Sequence, residues 1–178
     1  VLVNLAHHNT QQNHWAAGRL HAHHGQVEDA PFASLPQANC SLANLPFYPP
    51  HHGSLTQQPL RAAAWGLGDT PLNAWLTCLN HHTKPGGTML ALGHRDQAAG
   101  ILAHWGRQVT AIIWLTSHPI RPPKRVVIIA QRGADCPTPH PQILNTTDPA
   151  HQHQALRLGQ AIAASSLGTV SEYKGVLQ

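Results

Sequence analysis

At 178 residues, 42% apolar and 10% charged, the chain is long enough for one domain with a substantial core. Lys plus Arg outnumber Asp plus Glu by 11 to 7, a formal charge of +4, which suits a polyanionic partner without demanding one. No apolar run approaches the ~20 residues of a membrane span and no charged-then-apolar leader precedes a cleavage site, so a cytoplasmic chain without a membrane partner is expected.

The three cysteines, Cys40, Cys78 and Cys136, are odd in number, far apart and never spaced as C-x-x-C, which is the pattern of reduced thiols packed as small apolar groups. The 16 histidines include doublets at 7–8, 23–24, 51–52 and 81–82. A transition-metal reading would join His21, His23 and His24 to His51 and His52. Their spread along the whole chain favours polar surface instead, and no metal is expected.

Leu2, Leu5, Ala6, Asn9 and Asn13 fall on helical spacing, so a helix is predicted over 1–16, ended by Gly18. The chain begins at Val1 within that pattern and is expected to be a fragment. Residues 19–24 alternate weakly and predict a short strand, 25–38 a loop, and 40–43 a short buried strand. Residues 48–60, with Pro49-Pro50 and Gly53, predict a mobile loop. Leu72, Trp75, Leu76 and Leu79 mark an amphipathic helix entered through Asp69-Thr70-Pro71 and stopped by Lys84-Pro85-Gly86-Gly87. A strand at 88–92, a helix at about 96–105 and strands at 109–115 and 126–130 follow, with the basic turn Arg121-Pro122-Pro123-Lys124 before the last. A final helix is predicted from Asp148-Pro149 to about Ser165. Strand, helix, strand, helix, strand predicts an α/β sandwich with a largely buried sheet and no second domain. Trp65, Trp75, Trp105 and Trp114 lie on or beside apolar faces and are expected in the core.

The segment Ala38-Asn39-Cys40-Ser41-Leu42-Ala43-Asn44-Leu45-Pro46-Phe47 carries the one tetrapeptide with specific chemistry, Asn44 to Phe47. An Asn amide oxygen and the next backbone carbonyl can both accept from a planar exocyclic amine, Pro stiffens the turn, and Phe offers a stacking ring. Around it, Leu5-Ala6-His7-His8-Asn9 with Asn13, Arg19-Leu20 and Gly25, Arg61 to Ala64, Trp75-Leu76, Lys84 to Gly87, Pro119, Pro123 to Val126 and Arg132-Gly133 keep a consistent order. In that order the chain resembles the latter two-thirds of a class I S-adenosylmethionine-dependent methyltransferase, and is most similar to the bacterial tRNA(Val) adenine-N6 methyltransferases.

The resemblance implies a Rossmann-like α/β sheet flanked by helices, lacking the first strands and the glycine-rich loop, as a single domain over 1–178. It implies S-adenosylmethionine as cofactor, bound by Gly25, Gln26 and Asn44, and an RNA substrate, tRNA in the first instance, with no obligate protein partner. Asn44, Leu45, Pro46 and Phe47 would form the catalytic loop. Phe47 and Tyr48 would stack on the base, at ~1–3 kcal/mol per stacked base, and Arg61, Arg121, Lys124 and Arg125, with Lys84, would meet phosphates. Methyl transfer by direct displacement from a sulfonium needs mainly positioning.

The chain departs from the family at named places. Gln26 stands where an acid is usual, Asn39 where the strand usually begins with Asp, and Leu45 replaces the first Pro, so a fixed φ and some preorganisation should be lost. Ribosomal-RNA adenine dimethylases resemble this chain in having Asn-Leu/Ile-Pro-Tyr/Phe there. Two alternatives stay open: transfer to guanine N2 or a protein Gln amide, or a catalytically inactive truncated domain. Without the family's first strands, residues 1–35 should be less well ordered than 40–135 or packed differently.

Overall fold

The computed structural model describes residues 2–13, 18–28, 34–46, 70–118 and 120–153. Phe47, Tyr48, His51, His52, Arg61, Trp65, Pro119, the predicted loop at 48–60 and the last predicted helix beyond residue 153 lie outside the described residues. In chain order the elements are α1 (Leu2–Gln12), β1 (Ala38–Asn44), α2 (Leu72–His82), β2 (Thr83–His94), α3 (Ala98–Trp105), β3 (Val109–Thr116), β4 (Arg125–Gln131) and β5 (Gln142–Asn145). Short 3-10 turns at Arg95–Gln97 and Gly106–Gln108 bracket α3, and residues 149–153 are helical. Among the described residues no helix is long and apolar enough to cross a membrane.

The strands form one mixed sheet in the order β1-β2-β4-β3-β5. β1 pairs with β2 in parallel, β3 pairs with β5 in parallel, and β4 runs antiparallel to both its neighbours. Side chains alternate across the sheet, so each strand divides between two faces. On one face Ala43, Met89, Ala91, Val126, Ile128, Ala130, Val109 and Ile112 meet Leu76 and Leu79 of α2 and Ile101 and Trp105 of α3. On the other, Ile113, Ile129 and Leu144 gather with Leu90, Ala111, Leu115 and Val127. The all-apolar run Val126 to Ala130 is explained by this placement, because β4 lies inside the sheet and offers apolar groups to both faces. The mixed sheet with flanking helices is the α/β architecture expected from the sequence.

Both predicted amphipathic faces are found. Leu76 and Leu79 are buried with Leu72 and Trp75 packed beside them, and Ala98, Ile101 and Trp105 are buried with Leu102 against them. Trp105 and Trp114 join the same cluster. Other expectations are corrected. Residues 19–24 form no strand; 18–28 is irregular, and α1 ends at Gln12. β5 had no strong signal, being only 4 residues long with a single buried one, Leu144. No described residue ahead of Ala43 is buried.

The Lys84-Pro85-Gly86-Gly87 run does not stop α2. Thr83 does, donating both its backbone N–H and, at 2.7 Å, its hydroxyl to the Leu79 carbonyl while already pairing as the first residue of β2. Ala38 pairs with Thr83 and Cys40 with Thr88, so residues 84–87 are an excursion within the strand. Gly86 takes φ +77°, which a side chain would resist. The excursion is held by Gly86 N–H to the Arg132 carbonyl and Arg132 N–H to the Gly87 carbonyl, each 2.9 Å, and by the Arg132 guanidinium donating to the Thr83 carbonyl.

At Gly87 an added Cβ would stand 2.7 Å from Thr83 Cγ2, 2.8 Å from the Asn39 carbonyl oxygen and 2.9 Å from the Lys84 carbonyl oxygen. Two of these are backbone atoms that no rotamer change can move. Gly87→Ala should therefore lower stability by about 2 kcal/mol or more, seen as a reduced urea midpoint. An unchanged midpoint would contradict the close approach of β1 and β2.

Candidate functional site

Because β4 alone is reversed, the carboxyl ends of β1, β2, β3 and β5, at Asn44, His94, Thr116 and Asn145, share one edge of the sheet with Arg125, where β4 begins. Open α/β sheets bind ligands outside the carboxyl ends of their parallel strands. The Asn44-Leu45-Pro46 segment leaves β1 at that edge.

The three residues are held differently. Asn44 is exposed, and among the described residues its side chain has no hydrogen-bond partner. Leu45 is 1% exposed, and its N–H donates to the Leu92 carbonyl at 2.8 Å. Its own carbonyl accepts from no described residue. Pro46 is buried, and its carbonyl accepts from Gln97 Nε2 at 2.8 Å. Gln97 Oε1 in turn accepts from the His94 N–H at 2.8 Å. Gly93 makes room: a Cβ there would lie 2.9 Å from Gln97 Oε1 and 3.4 Å from Leu45 Cδ1. Segment 44–46 thus presents two acceptors, the Asn44 amide oxygen and the Leu45 carbonyl, on a firmly anchored turn.

The expected loss of preorganisation at Leu45 is offset in the structure. Proline has no N–H and could not bond the Leu92 carbonyl, whereas Leu45 makes that bond and buries its side chain against Gly93. The anchor is worth ~1 kcal/mol for the hydrogen bond and ~1.5–3 kcal/mol for the side chain. A fixed φ stabilises by only ~0.4–1 kcal/mol.

The basic turn reaches the same edge. Arg121, Lys124 and Arg125 are exposed there, and Arg125 stands opposite His94 in the β2–β4 register. The Arg95 N–H donates to the Lys124 carbonyl at 2.9 Å, tying the turn after β2 to the entry of β4. Arg95 is itself exposed, with Asp96 Oδ1 3.3 Å from its Nε, a pairing of little energetic weight on the surface. Lys84 falls at the amino end of β2, beside Thr83 that pairs with Ala38, on the order of 20 Å away by strand rise. Gly25 and Gln26 are exposed in the irregular segment 18–28, and no hydrogen bond joins them to the Asn44 turn. The other members of the predicted set, Phe47, Tyr48 and Arg61, lie outside the described residues.

Sequence inspection missed His94, Arg95 and Gln97. Their signal was a reciprocal cap: His94 and Gln97, three apart, satisfy each other's turn, with His94 Nδ1 accepting from the Asp96 N–H at 3.4 Å. Histidine is not a usual first residue of that pattern, so it passed unnoticed. Among the described residues no group of three or more His, Cys, Asp or Glu could hold a metal ion. The cysteines are free, and burial pushes the Cys40 and Cys78 thiols up, which keeps them protonated at neutral pH.

No protein-family model matches the sequence. No curated protein matches it. Among solved structures the chain is similar to a protein from Agrobacterium tumefaciens named as a predicted O-methyltransferase, at 14% identity over 64% of this chain and 43% of that one, with a TM-score of 0.36. It is also similar to a Listeria monocytogenes protein named as a putative class I S-adenosylmethionine-dependent methyltransferase, at 15% identity over 70% of this chain and 42% of that one, with a TM-score of 0.41. The chain spans less than half the length of each.

Leu45→Pro would restore the residue usual in the family that the sequence resembles, yet it removes the bond to the Leu92 carbonyl and the buried side chain. It is expected to lower stability by about 2–4 kcal/mol, measured by urea unfolding; a midpoint equal to or above that of the parent would contradict the anchoring role.

Proposed function

We propose that this chain carries the amine-recognition part of an S-adenosylmethionine-dependent N-methyltransferase acting on an exocyclic amine, with adenine N6 in tRNA the favoured substrate. The observation that carries the reading is the pairing of an exposed Asn44 amide with a Leu45 carbonyl that no described residue claims, at the carboxyl end of β1. A planar amine has two N–H bonds and one out-of-plane lone-pair direction. Asn44 Oδ1 and the Leu45 carbonyl oxygen, each accepting one N–H, fix the plane of the amine so that its lone pair stands perpendicular to those two bonds.

The acceptor set suits transfer of a methyl to nitrogen. Both oxygens are neutral dipoles that favour positive charge on the attacking nitrogen, as methylation by a sulfonium requires. When bound, S-adenosylmethionine supplies the methyl on a good leaving group; by the resemblance, Gly25, Gln26 and Asn44 would hold it. Asn44 and Leu45 then stabilise the methylated, cationic nitrogen until it gives a proton to water. The Gln97 bond to Pro46 keeps both oxygens in place.

RNA is favoured over a protein amide by the charge of the rim. Arg121, Lys124 and Arg125, with Arg95, stand along the edge where the turn emerges. An unpaired adenine, as in an anticodon loop, would reach the turn at little extrusion cost.

Calorimetric titration of S-adenosylmethionine into the 178-residue chain should give saturable binding. Transfer to tRNA should then place the methyl on adenine N6 by nucleoside mass spectrometry. Asn44→Ala should reduce transfer by about 100-fold while the fold is kept. Absence of both cofactor binding and transfer would overturn the reading, and label on guanine or on protein glutamine would redirect it to those amines. Separately, Lys124→Ala should weaken tRNA binding and reduce the slope of log affinity against log salt by about 1. An unaltered slope would remove Lys124 from the phosphate contacts.

A further inference from the structure

In a parallel ladder, a residue whose N–H bonds the carbonyl of one partner receives, at its own carbonyl, the N–H of the partner two residues on. Asn44 stands opposite Leu92, and the Leu45 N–H bonds the Leu92 carbonyl at 2.8 Å. The next rung would therefore run from the His94 N–H to the Leu45 carbonyl. It is not made, because the His94 N–H donates to Gln97 Oε1 at 2.8 Å. The other end of the same amide, Nε2, donates to the Pro46 carbonyl at 2.8 Å. A single side chain thus takes the donor that would have consumed the Leu45 carbonyl, and pins the carbonyl that follows.

We infer that Gln97 is a positioning residue that keeps the Leu45 carbonyl oxygen free to accept an N–H from the substrate amine. Its catalytic consequence rests on the methyltransferase reading above; its geometry does not. The surroundings are built for the interception. Gly93 is buried, and a Cβ on it would stand 2.9 Å from Gln97 Oε1, so a side chain there would push the amide out of this position. Gln97 closes the turn Arg95–Gln97 and directly precedes α3, whose first residue, Ala98, is buried with Ile101 and Trp105. The docking of α3 therefore fixes where the amide can reach. The Arg95 N–H bond to the Lys124 carbonyl holds the turn from its other side.

Without Gln97, the His94 N–H and the Leu45 carbonyl would be left facing each other in register, and their union would satisfy both. Loss of the amide would therefore close the rung and remove one acceptor from the amine site while leaving the sheet intact. That outcome separates positioning from plain stabilisation.

The test compares wild type, Gln97→Met and Gln97→Glu in the 178-residue chain. Through-hydrogen-bond scalar couplings in labelled protein report which carbonyl receives the His94 N–H. In wild type the coupling should run to the Gln97 side-chain carbonyl, and in Gln97→Met to the Leu45 carbonyl. A wild-type coupling between the His94 nitrogen and the Leu45 carbonyl overturns the inference whether or not the chain methylates anything. With S-adenosylmethionine and tRNA, Gln97→Met should lower kcat about tenfold or more with cofactor affinity unchanged. Gln97→Glu, which still offers an acceptor to the His94 N–H but can no longer donate to the Pro46 carbonyl, should lose less kcat than Gln97→Met. Equal loss in both variants, or none in Gln97→Met, overturns the positioning role. Absence of both cofactor binding and transfer in wild type sinks the methyltransferase reading alone, and the couplings then decide the geometry of Gln97.

Discussion

The reversed insertion of β4 between β2 and β3 is the constraint on which the rest depends. It places an all-apolar strand where both faces of the sheet need filling, and it brings the amino end of β4 to the edge where the parallel strands end. The basic turn at 121–125 reaches the Asn44 edge for that reason alone. Register does the remaining work. With Asn44 opposite Leu92 and Leu92 opposite Val127, Asn44 is left exposed and Leu45 turns inward. A slip of one residue would exchange those faces, burying an amide and exposing a leucine, so the apolar core selects the register that presents the amide.

Legibility followed the strength of the local pattern. The faces of α2 and α3 and the strands at 109–115 and 126–130 could be read because each repeats its apolar residues at one period for two turns or more of helix, or for five or more residues of strand. β5 could not, since only Leu144 of its 4 residues is buried and its partners in β3 lie 29 residues upstream. The Lys84 to Gly87 run misled for a physical reason. Proline and two glycines signal a break in any local reading, but here they form an excursion whose ends stay in register and whose glycines are demanded by contacts with Asn39 and Arg132, both distant in sequence. The irregular stretch 18–28 shows the converse error, a weak alternation with no neighbouring strand to confirm it.

Of the candidate site, the acceptors were legible and their support was not. Asn44 and Leu45 advertise themselves through chemistry carried by adjacent residues. Gln97 acts through Pro46, 51 residues earlier in the chain, and only the pairing of β1 with β2 makes the two neighbours. The same holds for Arg95, a lone charge in the sequence that the fold sets beside Lys124. Local composition records which groups could do chemistry; the sheet decides which of them stand at one edge.

Leu45 shows how the turn attains rigidity without a second proline. A proline restricts one torsion and contributes that restriction chiefly by narrowing the unfolded ensemble. Leu45 instead acts in the folded state, by filling space beside Gly93 and by extending the β1–β2 ladder one rung past the last strand residue. The ladder ends there, and the carbonyl at 45 takes no further rung. The Gln97 amide ends it at that point by taking the His94 N–H. The extra rung at Leu45 and its termination at Gln97 are therefore coupled, and Leu45, Gly93, His94 and Gln97 form a single packed unit.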